Sequence, residues 1–231
     1  MIRIFDDFAS LFYPRLCLAC RKNLPYNQEC ICVHCQYHLP KTHFHLDKEN
    51  PFTERFWGRL PLVAGAALYH FSKGGRTQAL IHQLKYQHKT QIGLKLGRLY
   101  GQQLVQQPSF QSVDLILPVP LHPRKKRLRG YNQSDFFAQG LSDGMQRPWM
   151  NHALVRTEDT SSQTRKSRMD RFRNVENAFA IPDPNQLKNR HILLVDDVLT
   201  TGATLEACAQ TILKVEGTRV SMATMAIASE V

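Results

Sequence analysis

The string Ile192–Thr204 limits the fold of this chain more than any other stretch. Four apolar residues, Ile192–Val195, make a buried-type strand that delivers Asp196 and Asp197 at its C-terminal end. A turn rich in hydroxyls follows, and a helical pattern begins at Ala203 and runs to Val215, with Leu205, Cys208, Ile212 and Leu213 on one side and Gly217 just beyond. A strand, a short turn and a helix in this order are the unit of a parallel sheet covered on both faces. The rest of the chain repeats the alternation. Val63–Phe71 reads as a strand and Lys73-Gly74-Gly75 as a turn. Thr77–Gln107 reads as one or two helices with a break near His88–Gln91, and Val113–Val119 as a nearly continuous apolar strand. A basic loop, a helix from about Asn132 to Leu141, a short strand at Ala153–Val155 and a last strand at Arg219–Ile227 complete it. The expected fold is α/β with a mainly parallel twisted sheet flanked by helices.

The same string carries chemistry. Ligands of open parallel sheets sit beyond the carboxyl ends of the strands. Free N–H groups at the turn and helix start, with the positive end of the helix dipole, suit a phosphate. Thr200, Thr201 and Thr204 offer hydroxyls to the same anion, and Gly202 lets the backbone approach it closely. Asp196 and Asp197 cannot neutralise a phosphate, but they accept hydrogen bonds from sugar hydroxyls and favour a nearby Mg²⁺. Helix capping alone explains a Thr or an Asp at one position, not the whole string.

The formal charge of +11 points to anionic partners, and the basic residues are clustered. Arg124, Lys125, Lys126, Arg127 and Arg129 form one block; Arg165, Lys166, Arg168, Arg171 and Arg173 form another, within a polar stretch without periodicity, Thr157–Asn174. Hydrophobic residues make up 42% of the chain, yet no apolar run is long enough to cross a bilayer. Met1–Pro14 fits a short amphipathic packing helix; Asp6 and Asp7 stand where a secretion signal would be basic, so a cytoplasmic location is expected. In that compartment six cysteines argue for metal before disulfide. Cys17-x₂-Cys20 and Cys32-x₂-Cys35, in a segment too poor in apolar residues to build its own core, suit a structural Zn²⁺ with four thiolates. Arg21 stands where a glycine often follows such a pair, and Cys30 or His34 remains an alternative ligand. Residues 1–40 are therefore read as helix and zinc module, the polar residues 41–61 as a linker, and residues 62–231 as the α/β domain.

The string Ile192–Thr204 resembles the 5-phosphoribosyl 1-diphosphate (PRPP) motif of the type I phosphoribosyltransferases, in which two acids follow a hydrophobic strand and precede a Thr/Gly turn. The resemblance implies that Asp196 and Asp197 hold the ribose hydroxyls, and that Leu199, Thr200, Thr201, Gly202, Ala203 and Thr204 wrap the 5′-phosphate. It also implies a pyrophosphate loop at Pro120, Arg124, Lys125 and Arg129, and a mobile loop closing over PRPP with Gln163, Arg171 and Asn174 facing the site. Members acting on 6-oxopurines carry a third acid where this chain has Thr200, which speaks against such a substrate. The order of parts narrows the likeness. A four-cysteine head comes first, then Leu84-Lys85-Tyr86, then Pro-Val-Pro-Leu with a basic stretch to Arg129-Gly130-Tyr131-Asn132-Gln133. Ser-Gln-Thr…Arg-Phe-Arg-Asn-Val and the PRPP motif follow, and together these parts resemble the ComF/GntX family over nearly the whole chain. That likeness implies a zinc-ribbon-like module, a link to natural competence and single-stranded DNA, and partners in the competence machinery; it supplies no acceptor. Three functions remain open from sequence: a transferase that releases pyrophosphate, a single-stranded-DNA-binding module that keeps the PRPP fold, with Tyr86, Tyr131, Phe136 and Phe172 as stacking candidates, and a PRPP sensor.

Overall fold

The computed structural model describes residues 14–157 and 178–228. The strands are β1 (Leu62–Phe71), β2 (Leu115–Pro118), β3 (Val155–Arg156), β4 (Phe179–Ala180), β5 (His191–Leu199) and β6 (Arg219–Ala228). The helices are α1 (Val33–His38), α2 (Pro51–Glu54), α3 (Arg76–Tyr86), α4 (Gln91–Leu104), α5 (Pro108–Gln111), α6 (Pro123–Arg129), α7 (Gln133–Met145) and α8 (Ala203–Leu213). The main sheet runs β1-β6-β5-β2, and all three pairings are parallel, so the C-terminal ends of its strands share one edge. β3 and β4 form a separate antiparallel pair.

Because successive strand residues point to opposite faces, β5 feeds two cores. Leu193 and Val195 pack with Ile116, Ala64, Leu68 and the helices α3, α4 and α7. Ile192 and Leu194 pack with Leu115, Leu117, Met222 and α8. A sheet covered on both faces needs the continuous apolar runs seen in the sequence.

Close approach of α4 and α7 sets the thickness of the first layer. Gly93, Gly97 and Gly101 recur every fourth residue on α4, facing Gly140 and Gly144 on α7. A Cβ on Gly97 would lie 2.8 Å from Leu141 N, and one on Gly140 would lie 2.9 Å from Arg98 N, so each helix is read by the backbone of the other.

Two expectations change. The basic block is not a loop but helix α6, with Pro123 in its first turn, His122 Nδ1 accepting from Arg124 N at 3.2 Å, and Gly130 left-handed at φ 79° beyond its end. Residues 41–61, expected as a linker, are built into the fold. Asn50 caps α2 through Phe52 N and Thr53 N, and its Nδ2 donates to Phe44 O, Asp47 O and Gly65 O at 2.8–3.1 Å. That anchoring buries Phe52 and Phe56 against the second face of the sheet. The polar composition reflected side chains spent on turns, while two aromatics provide the packing. The helix expected at the N-terminus lies outside the described residues.

Candidate functional site

β5 continues four residues further than its apolar run suggests, through Asp196 and Asp197 to Leu199. Consecutive acids on a strand face opposite ways. Asp196 lines a shallow concavity of about 40 Å³ together with Val198 to Leu205, the whole turn. Asp197, 5% exposed, turns to the other face, where Lys85 Nζ of α3 lies 2.8 Å from its Oδ2. The contact is an ion pair rather than an aligned hydrogen bond, since Oδ2 has no hydrogen-bond partner in the usual geometry.

Asp196 Oδ1 accepts from Ser134 Oγ and from Asp197 N, both at 2.8 Å. Burial and the adjacent Asp197 charge push its carboxyl up to about 7, against the hydrogen bonds from Asp197 N and Ser134 and the charge of Lys85. Thr200, Thr201, Ala203 and Thr204 are exposed around a buried Gly202 at φ 84°, a conformation that favours glycine. No side chain caps the first turn of α8, which leaves its N–H groups to face the concavity. The turn rests on residues 51–60: the Phe56 ring lies beneath Gly202, and the Arg55 guanidinium donates to Thr200 O and, at 2.6 Å, to Ala228 O.

The second loop lies beside the first. Pro118 pairs with Val195, and Val119 N donates to Val195 O at 2.8 Å, so the chain leaving β2 starts next to Asp196. Asn132 Nδ2 holds that loop by donating to Val119 O at 3.0 Å. Pro120 is half-buried, and Arg124 and Lys125 are exposed on α6. Arg129 donates to Gln133 Oε1 at 2.8 Å and stacks over Tyr86, its guanidinium carbon 5.1 Å from the ring centre. Gln163, Arg171 and Asn174 lie outside the described residues; β3 and β4 flank that stretch in the sequence. On the same edge, above β1 and β6, a cavity of about 450 Å³ is lined by Phe44, Glu54, Arg55, His70 and Ile227.

The four expected cysteines meet. The Sγ atoms of Cys17, Cys20, Cys32 and Cys35 all lie within 4.8 Å of one another, and Cys20 and Cys32 are 3.9 Å apart. A tetrahedron with Zn–S bonds of about 2.3 Å sets sulfurs about 3.8 Å apart, so the group fits Zn²⁺ after a small contraction. Backbone N–H groups point at the sulfurs, Cys32 N to Cys17 Sγ at 3.3 Å and Cys35 N to Cys32 Sγ at 3.4 Å. Burial would raise the Cys17 thiol, but backbone donors from Cys32, Cys20 and Ala19 outweigh it and bring it to about 7. Cys30 is turned away, its Sγ 3.8 Å from Gln91 O, and His34 stacks on His38 with ring centres 4.3 Å apart. Arg21 holds the left-handed position, φ 62°, where glycine is usual.

Sequence reasoning missed Lys85 as a site residue, along with Ser134, Arg55 and Phe56. Lys85 and Ser134 stand 112 and 62 residues from the acids they touch; Leu84-Lys85-Tyr86 entered only as part of the family likeness, and no spacing ties either residue to the acids.

The family model "Phosphoribosyl transferase domain" matches residues 135–229. The DNA utilization protein YhgH of Escherichia coli O157:H7 is 35% identical over 225 residues, covering 88% of this chain and 93% of its own. Competence protein F of Haemophilus influenzae is 28% identical over 219 residues, with the same coverage of 88% and 93%. Among solved structures, the Bacillus subtilis glutamine PRPP amidotransferase complexed with ADP and GMP superposes at a TM-score of 0.44 and 15% identity, over 62% of this chain and 30% of that one; so loose a likeness carries no argument.

Proposed function

This chain belongs to the ComF/GntX family, with a phosphoribosyltransferase domain behind a four-cysteine cluster, and from that premise we propose that it binds PRPP and transfers its phosphoribosyl group to an acceptor. The observation that carries the reading is the pairing of Pro118 with Val195, which sets the loop after β2 beside Asp196 and the uncapped start of α8. In this reading the turn Leu199–Thr204 takes the 5′-phosphate, Asp196 accepts from ribose hydroxyls, and the loop at Pro120, with Arg124 and Lys125, faces the pyrophosphate. Mg²⁺ would be held by oxygens of PRPP and water beside these loops, an oxygen-rich and open setting that suits it, and would offset charge on the leaving group. Gln163, Arg171 and Asn174 would close over the ligand and exclude water.

On this reading, the sheet order supports a direction for the step. The pyrophosphate loop follows β2, the sugar acid stands on β5, and the 450 Å³ cavity lies over β6 and β1. An acceptor entering there meets C1′ from the side away from pyrophosphate. Its nucleophile bonds to C1′, the C1′–O bond breaks, the electron pair leaves with pyrophosphate, and the acceptor proton passes to water. The cysteine group would hold one structural Zn²⁺, four thiolates leaving no open position. A cytoplasmic place of action fits reduced cysteines, and the names of the relatives suggest a role in DNA utilisation or competence.

A second reading, a single-stranded-DNA-binding module, is favoured by one surface. Tyr86, 58% exposed, stacks with Arg129 at the end of helix α6, which carries five cations, an aromatic platform on a cationic track. Tyr131 and Phe136 serve it less, being half-buried against each other at 5.5 Å. Pyrophosphate release from PRPP and Mg²⁺, tested with nucleobases, amines and single-stranded DNA and with Asp196→Ala as the blank, separates the two. Release that depends on one acceptor supports transfer. Binding of PRPP without release above the blank rejects transfer and leaves recognition.

A further inference from the structure

Helix α3 is fastened on two opposite sides. Gln83, 2% exposed, donates from Nε2 to Leu18 O at 2.6 Å, and Leu18 lies between Cys17 and Cys20. Leu80 and Leu84 share one apolar cluster with Leu18, Ile31 and Cys35. Residues two apart on a helix stand about 200° apart around its axis, so Lys85 leaves the face opposite Gln83. There its ammonium meets Asp197 at 2.8 Å. One helix therefore joins the cysteine module to the acids at the end of β5.

We propose that Lys85 is a positioning residue of the phosphoribosyl site, and that the cysteine module holds it in place through Gln83. The inference rests on the PRPP reading above. Asp197 is buried, and a buried carboxylate without a partner is costly. PRPP is a polyanion, and two adjacent carboxylates beneath it would repel it. Lys85 offsets one of them directly, and its charge also opposes the rise at Asp196. Any loosening of the module that lets α3 turn or slide withdraws this cation from the acids. Zinc at the cysteines would thereby act on ligand affinity without touching the ligand.

The test is calorimetric titration of PRPP and Mg²⁺ into the full chain, with zinc content and melting temperature measured for each variant. Lys85→Met is expected to bind PRPP at least about tenfold more weakly. Lys85→Arg recovers most of the loss because it keeps the charge. Lys85→Met combined with Asp197→Asn recovers affinity too, since a neutral amide no longer needs the ammonium; a purely packing role for Lys85 would show no such recovery. Gln83→Met, which keeps the side-chain length but loses the bond to Leu18, retains its zinc and binds about three- to tenfold more weakly. Wild-type affinity in both Lys85→Met and Gln83→Met, with Asp196→Ala still defective, overturns the inference and leaves the site reading standing. Absence of PRPP binding by the wild-type chain removes the site reading, and the inference with it.

Discussion

Asp196 stands near the C-terminal end of β5, beside the turn Leu199–Thr204, and its environment gives it an unusual titration. Its carboxyl rises from 3.8 to about 7, chiefly through burial and then the charge of Asp197. Between those values the folded chain keeps a proton that the unfolded chain has released, so stability falls as pH rises through this window and changes no further from this group above about 7. Ligand binding runs the other way, because an ionised carboxylate accepts from two hydroxyls. PRPP affinity should rise from pH 6 to pH 8, and Ser134→Ala, which removes a donor at 2.8 Å, should move the midpoint upward, as titration calorimetry across that range would read. A midpoint unchanged in Ser134→Ala would show that this bond does not set the titration. Arg21 offers a second check at this scale. At φ 62° it occupies a conformation that glycine adopts freely, so Arg21→Gly should be neutral or stabilise the cysteine module by about 0.5–1 kcal/mol in thermal unfolding. A clear loss of stability would mean that the Arg21 side chain packs usefully.

The elements that carry the site were legible where sequence periodicity and local chemistry agree. β5, its turn and α8 were readable because strand, acids, Thr/Gly turn and helix fall in one unbroken string. α6 carried its own signs, Pro123 at the start and Gly130 beyond the end, which the block of five cations overshadowed. Residues 41–61 misled because Asn50 and Thr53 spend their polar groups on backbone, and only Phe52 and Phe56 signal burial. The glycines of α4 and α7 carried a signal at four-residue spacing that acquires meaning only once the two helices are known to face each other. They also make a prediction. Gly97→Ala or Gly140→Ala drives a methyl into the opposite backbone, so the helices must separate, at a cost of about 1–3 kcal/mol in denaturant unfolding. α7 begins with Gln133 and Ser134, so the same variants should weaken PRPP binding through Ser134 and Asp196. Unchanged stability would show that the α4–α7 contact tolerates a wider spacing.

Across the molecule, the cysteine group and the α/β domain share a core, with Cys17, Ile31 and Cys35 packed in the cluster that includes Leu80, Ile92 and Leu96. No helix among the described residues is long and apolar enough to cross a membrane. Purified protein should carry about one zinc per chain, and removing it with a chelator should lower the melting temperature of the whole chain in one transition, because the module has no core of its own to lose. Two separate transitions would show that the parts fold independently. The central claim is that the edge formed by Asp196 and the turn Leu199–Thr204 binds PRPP. Titration calorimetry of PRPP with Mg²⁺ against the wild-type chain and Asp196→Ala tests it most directly. The account predicts saturable binding by the wild type and about a hundredfold or greater loss in the variant, which gives up hydrogen bonds to a charged acceptor while keeping its fold. Equal affinity in the two proteins would contradict it.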